Sequence, residues 1–243
     1  MALGDSVTEG VGDPVPGGGL RGWADRLAAG LRALEGDLFY ANLAQRGRTT
    51  RQIRDHQLEP ALAHRPDLAS AITGMNDVFP RTFDADGTAE LLDEMVSALI
   101  GAGATVLVAT LPDVTRVFPV PSRMLTSLRS RLNAMNVAIR AVAAKHEGDM
   151  VLVDAAEYPD ELTRRNWSID MLHPNSRGHL TIARAFADRL SERAGVEIEL
   201  PEPLPVRLLG RESARYARWM VRESVVPRAR DFASRALRRP RRG

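Results

Sequence analysis

Ser6 stands in Gly4-Asp5-Ser6, directly after the apolar run Met1-Ala2-Leu3. Open α/β sheets place their reacting groups on turns at the carboxyl edge, where a hydroxyl in this position would fall. The same residue types also make ordinary turns. Far downstream, Asp170-Met171-Leu172-His173-Pro174 puts a carboxylate within reach of one imidazole nitrogen. Such a pair fixes the tautomer and stabilises the imidazolium when the other nitrogen takes a proton. Read alone, it is equally an acidic turn ahead of a helix. Gly74-Met75-Asn76-Asp77 follows the apolar run 68–73, so Asn76 could aim its amide at a developing oxyanion. Asn42 to Gly47 closes another apolar run, and Gly47 permits the backbone angles that turn an N–H into a pocket. A plain turn is the competing reading for both segments.

Apolar runs that alternate with long amphipathic stretches must position these residues, and that alternation predicts a parallel sheet with crossover helices. The candidate strands are 1–3, 38–43, 68–73, 104–110 and 150–153. Thr105-Val106-Leu107-Val108 is the clearest, a continuous, partly β-branched run suited to a strand buried on both faces. Helical patterns cover 20–34, 50–64, 86–100, 122–146 and 174–193. Thr49 or Thr50 suits the cap of the second and Asp86 that of the third. Trp23 and Leu27 read as core of the first helix. The first strand is short, because a buried strand normally needs about 4–6 residues before its turn. Either it is short in fact or the natural start lies upstream of Met1.

Taken together, the four segments stand in the order and spacing of the SGNH hydrolases, or GDSL esterase/lipase family, which residues 1–194 resemble. The matching text is Gly4-Asp5-Ser6, Asn42 through Gly47, Gly74-Met75-Asn76-Asp77 and Asp170-Met171-Leu172-His173-Pro174. The resemblance implies a three-layer α/β/α sandwich around a five-stranded parallel sheet, flavodoxin-like in plan. It implies that Ser6 is the nucleophile, His173 the general base and Asp170 the residue that orients His173. It also implies an oxyanion hole made by the backbone N–H groups of Ser6 and Gly47 and the side-chain amide of Asn76. The expected reaction is hydrolysis of a carboxylic ester through an acyl-enzyme, with no metal and no cofactor. An acyltransferase, or an O-deacetylase acting on a carbohydrate or natural product, could use the same triad. Phe79, Phe118, Met124 and Trp167 lie in loops that should rim the same edge, as a substrate pocket or as gap-fillers between helices.

Other chemistries fit less well. Gly10-Val11-Gly12 runs into Asp13-Pro14-Val15, so the third glycine of a dinucleotide fingerprint is missing. A metal-dependent phosphoesterase would want converging His and Asp ligands. Only five histidines exist, and His56, His64 and His146 fall on amphipathic helices, while His179 reads as structural.

The 243 residues suffice for one large α/β domain with an appendage. No run approaches the roughly 20 apolar residues of a membrane span. No basic region followed by an apolar stretch opens the chain, so the expectation is a cytoplasmic protein. Net charge is +2 but unevenly spread. Residues 1–200 carry −6 and residues 201–243 carry +8, with 12 Arg in the latter. The acidic main domain argues against nucleic acid as its partner. We therefore divide the chain into a hydrolase domain, 1–200, and a tail, 201–243. The tail opens with the Pro-rich linker 201–205. Arg207, Arg211, Arg215, Arg218 and Arg222 then fall on one helical face. The opposite apolar stripe can dock on the domain, or residues 206–222 can lie on an anionic membrane surface. The protein could then be a tail-driven binder of a membrane or of an acidic partner, with its main domain a scaffold, rather than an enzyme.

Overall fold

The computed structural model describes residues 1–15, 18–117, 122–158, 163–168, 170–201, 214 and 218, with the side chains of 122–124 excepted. Four of the apolar runs form the strands β1 (Ala2–Gly4), β2 (Leu68–Ile72), β3 (Thr105–Ala109) and β4 (Met150–Val153). They pair in parallel in the order β1-β2-β3-β4, with Leu3 opposite Ala71, Ser70 opposite Leu107, and Ala109 opposite Val153. Alternate residues leave opposite faces of the sheet. Leu3, Ala69, Ala71, Val106, Val108 and Met150 enter one core, and Ala2, Ile72, Leu107, Val151 and Val153 the other.

Helices cover both faces. The first core is closed by α3 (Thr50–Ile53), a π turn at Arg54–Leu58, α4 (Glu59–Ala63), α5 (Ala85–Gly101) and α6 (Ser122–Lys145). The second is closed by α2 (Trp23–Glu35) and α7 (Ser176–Ala194). There the Trp23 and Phe186 rings meet at 4.9 Å and are almost wholly buried. Each such side chain contributes about 1.5–3 kcal/mol through burial. The three layers thus follow the expected plan.

The sheet has four strands among the described residues, not five. Residues 38–43 run beside β1 but touch it at one parallel bridge, Ala2 with Asn42. The Ala2 N–H donates to Ala41 O and the Leu43 N–H to Ala2 O, both at 2.9 Å. The next rung would use the Gly4 N–H, but that group donates to Gln57 Oε1 at 2.9 Å, and Gln57 Nε2 donates back to Gly4 O at 3.0 Å. The side-chain amide thus takes one position of the ladder, and the neighbouring segment resumes where the Gln45 N–H donates to Gly4 O at 3.2 Å. Gln57 reaches Gly4 from the π turn, and such turns concentrate at functional sites.

Several helix starts also move. Gly22, whose N–H is bonded by Asp25 Oδ2 at 2.7 Å, precedes α2. Asp84, not Asp86, caps α5, and Asn175 caps α7 by accepting from the Arg177 and Gly178 N–H groups. Pro174 thus stays outside the last helix. The linker and basic tail lie outside the described residues except at Pro201, Ala214 and Arg218. Among the described residues no helix is long and apolar enough to cross a membrane.

Replacing Gln57 by Leu leaves the Gly4 N–H buried without its acceptor. The expected loss is about 1–3 kcal/mol, read as a lower urea midpoint at unchanged slope. A midpoint equal to the wild type would show that the amide does not support β1.

Candidate active site

Asp5 and Ser6 meet where β1 turns into the single helical turn α1 (Ser6–Glu9). Asp5 Oδ1 caps that turn by accepting from the Val7 N–H at 3.0 Å. Gly10, in the left-handed region at φ +92°, ends it. Ser6 is 7% exposed, and its Oγ lies 2.9 Å from His173 Nε2. His173 Nδ1 lies 2.5 Å from Asp170 Oδ2, and Asp170 Oδ1 accepts from the Leu172 and His173 N–H groups at 3.1 Å. The structure thus joins Ser6, His173 and Asp170 in one line. Burial works to raise the Asp170 carboxyl. The hydrogen bond and charge of His173, with the two backbone donors, outweigh burial and hold it below its ordinary value.

Gly74, at φ +105°, turns the chain after β2 and brings Asn76 to Asp5. Asn76 Nδ2 donates to Asp5 Oδ2 and to Arg48 O, each at 3.0 Å. Asp77 accepts from the Thr50 N–H at 3.0 Å and from Thr50 Oγ1 at 2.9 Å, tying this turn to the start of α3. Gly47 lies in the exposed turn just before Arg48, at φ +77°. The backbone N–H groups of Ser6 and Gly47 donate to no described residue. Both amide hydrogens of Asn76, by contrast, are engaged. Burial pushes the Asp5 carboxyl up to about 6, against the lowering effects of the Val7 N–H and His173; Asp77 adds to the rise.

Two backbone segments must touch for Ser6 and His173 to meet. A Cβ on Gly12 would lie 1.7 Å from Pro174 O, so only glycine fits beneath the His173 loop. Behind this contact, Arg26 Nη2 bonds Asp13 Oδ2 at 2.5 Å and Ser176 Oγ at 2.7 Å, with the Arg26 and Asp13 side chains almost wholly buried and Ser176 half-buried. His179 accepts from the Trp23 N–H at Nδ1, 3.3 Å, and pairs through Nε2 with Val11 O at 3.0 Å. It is structural, as its sequence position suggests. Burial drives it down to about 4, so it is neutral at pH 7. His146 bonds Asp93 at 2.6 Å, and His64 stacks on Phe39 at 5.1 Å. Among the described residues no three His, Asp or Glu side chains are placed to hold a metal.

Beside the triad lies an apolar cavity of about 140 Å³. Ile72, Ala109 and Val153, the last residues of β2, β3 and β4, form one wall; Trp167, Ile182 and Ala185 close others. Of the four residues expected to rim a pocket, Trp167 lines this cavity. Phe79 is 41% exposed and does not line the cavity, because its turn faces solvent beyond Val78, the residue that enters the core. Phe118 and the Met124 side chain lie outside the described residues. Sequence reasoning missed Ile182 and Ala185, whose helical spacing reads simply as core. It also missed Asp13 with Arg26, since an arginine on an amphipathic helix reads as surface.

A hydroxyl, imidazole and carboxylate aligned at the carboxyl edge of a parallel sheet define a serine hydrolase of α/β type. The model of the GDSL-like Lipase/Acylhydrolase family matches residues 2–180, and the chain belongs to that family. It is a carboxylic ester hydrolase. No curated protein matches the sequence. Among solved structures, LAE5, an alpha/beta hydrolase from the metagenome of Lake Arreo, Spain, is 22% identical at TM-score 0.62, covering 77% of this chain and 92% of its own. Axe2, an acetylxylan esterase from Geobacillus stearothermophilus, is 21% identical at TM-score 0.61, covering 78% and 92%. Catalytic mutants of Axe2 replace a serine, an aspartate and a histidine, the last two three positions apart.

His179 gives a signed pH effect. Its native value, about 4, lies below the ordinary 6.5. The unfolded chain therefore binds the proton first on acidification, and stability present above pH 6.5 is lost as pH falls through 4. The loss amounts to about 3 kcal/mol by pH 4. His179→Gln lacks this loss, so its stability relative to wild type should improve by that amount between pH 7 and pH 4. Urea unfolding at the two pH values measures it; a constant difference would mean that His179 is not held neutral.

Proposed function

We propose that the ester is cleaved by Ser6 in two steps. Ser6 Oγ adds to the carbonyl carbon while His173 Nε2 takes its proton. His173 returns that proton to the alcohol oxygen as the C–O bond breaks, which leaves the acyl group on Ser6. Water, deprotonated by the same imidazole, then releases the carboxylic acid. Asp170 holds Nδ1–H of His173 and offsets the imidazolium charge. The observation that carries this reading is the unbroken line from Ser6 Oγ through His173 to Asp170, at 2.9 and 2.5 Å.

The oxyanion would be received by the N–H groups of Ser6 and Gly47, which have no described acceptor. The amide of Asn76 would join them by sharing a hydrogen now given to Asp5 or Arg48. Such donors count most where water is excluded and they need not reorganise. The substrate class is a small-molecule ester. The acetylated saccharide of Axe2 is one such ester, but at this level of identity the two chains share a fold rather than a substrate.

Ser6→Ala should lower kcat/KM for p-nitrophenyl esters by about 10⁴-fold or more, and Asp170→Asn by a similar factor. Asn76→Ala should lower kcat by about 10²–10³-fold. A fluorophosphonate should label the wild type at Ser6 and leave Ser6→Ala unlabelled. Full activity in Ser6→Ala would remove the acyl-enzyme from consideration.

A further inference from the structure

The cavity is lined by the chain neighbours of the triad rather than by Ser6, Asp170 or His173 themselves. Asp5 and Val7, which flank Ser6, line it, and so do Leu172 and Pro174, which flank His173. From there it passes beneath the carboxyl ends of β2, β3 and β4 towards α7. Gly178, Thr181, Ile182 and Ala185 form its α7 wall. They recur at three, four and seven positions, a single helical face. Small residues at both ends of this stripe keep the space open. Gly178 is also held small from outside, since a Cβ there would lie 2.3 Å from Asn166 O.

The walls select the ligand. Thr110 Oγ1 is occupied by Asp154 Oδ1 at 2.9 Å and the Ala155 N–H at 2.8 Å. Thr73 Oγ1 pairs with Thr50 Oγ1 at 2.7 Å. Asp5 serves Val7 and Asn76. Asn166 and Thr181 have partners of their own, and Tyr158 is the remaining polar side chain of a lining that is otherwise apolar, so a hydrocarbon is desolvated here at less cost than a polyol. The volume sets the length. About 140 Å³ compares with the roughly 150 Å³ of an apolar cavity that takes a benzene ring, a group of six carbons.

We propose that this cavity holds the acyl chain of the ester, a hydrocarbon of about four to six carbons, and that Ile182 and Ala185 set its depth. This rests on Ser6 as the nucleophile. A recess behind the nucleophile suits the group that stays bonded to Ser6 through both steps, while the alcohol must leave between them.

Two ester series test the assignment. With p-nitrophenol as the fixed leaving group, kcat/KM should rise from acetate to about hexanoate by up to about fourfold per carbon, then fall. With acetate as the fixed acyl group, lengthening the alkyl alcohol should give no comparable rise. Ala185→Leu should cut the hexanoate-to-acetate ratio at least tenfold, and Ile182→Ala should move the optimum to longer acyl chains. If Ala185→Leu does not fold, Ile182→Ala still decides the matter. Binding to the Ser6→Ala protein, measured by calorimetry, should favour p-nitrophenyl hexanoate over the acetate at least tenfold without turnover. A wild-type preference for acetate, a rise confined to the alcohol series, or an optimum unmoved by Ile182→Ala each overturns the proposal. Fluorophosphonate labelling separates the two readings. Labelling at Ser6 with no chain-length preference rejects the cavity alone, and its absence rejects the nucleophile.

Discussion

The carbonyl of Pro174 lies where a side chain on Gly12 would be, and the site exists because of that close approach. Ser6 and His173 are separated by most of the domain, yet their side chains stand 2.9 Å apart. Sheet pairing alone does not supply that precision, since β1 and β4 are at opposite edges of the sheet. The loop after the nucleophile must instead be fastened to the loop that carries the base. Gly12 permits the approach, and the buried Asp13–Arg26 pair, with Ser176, maintains it by joining that loop to α2 and the first residue of α7. Buried ion pairs often add little net stability, because desolvation offsets attraction. Their loss is costly all the same, about 3–5 kcal/mol when one partner is removed. A cluster of this kind is therefore better understood as fixing one arrangement of the loops than as strengthening the fold.

The same logic explains the short first strand. β1 offers Ala2 and Gly4 to its outer neighbour, and the Gly4 N–H is already held by Gln57. The clasp gives up a rung of sheet. In exchange the strand is anchored from the helical layer, two residues before Ser6. Ser6 thus leaves a strand braced by β2 on one side and by residues 41–45 together with the Gln57 side chain on the other.

How much of this was legible depends on whether a feature is local in sequence. β3 was readable because Val106 and Val108 face one core and Leu107 the other, so the whole run is apolar. Asp170 and His173 were readable because their partnership spans a single turn. The fifth strand was not. Residues 38–43 are apolar enough to pair and do bond Ala2, but the Gly4 N–H that would extend the ladder goes to Gln57, and Gln57 carries no sign of this on an amphipathic helix. Phe79 and Trp167 looked alike as aromatic loop residues. Only the course of the chain separates them, as the Trp167–Pro174 bridge draws Trp167 inward while Phe79 stays in solvent. The α7 wall of the cavity shares its spacing with any packed helix face, so an empty space beside it leaves no trace in the sequence.

Two buried carboxyls sit within this site and are displaced in opposite directions. Asp170 faces the imidazole that, in the proposed mechanism, takes the Ser6 proton, and is held below its ordinary value. Asp5 receives the Val7 N–H and the Asn76 amide but does not bond the imidazole, and burial raises it to about 6 against the Val7 bond and the nearby His173. The contrast sorts their roles, since carboxyls in one site that are driven apart serve different functions. Negative charge is wanted beneath the imidazolium and unwelcome beside a forming oxyanion. At pH 7, protonating a group with a value near 6 costs about 1.4 kcal/mol, the worth of one pH unit. A neutral Asp5 would also grip the Asn76 amide less strongly than a carboxylate does, since hydrogen bonds to ionised acceptors are roughly twice as strong as neutral ones. If Asn76 receives the oxyanion as proposed, the burial that raises Asp5 lowers the cost of turning the Asn76 amide towards that charge.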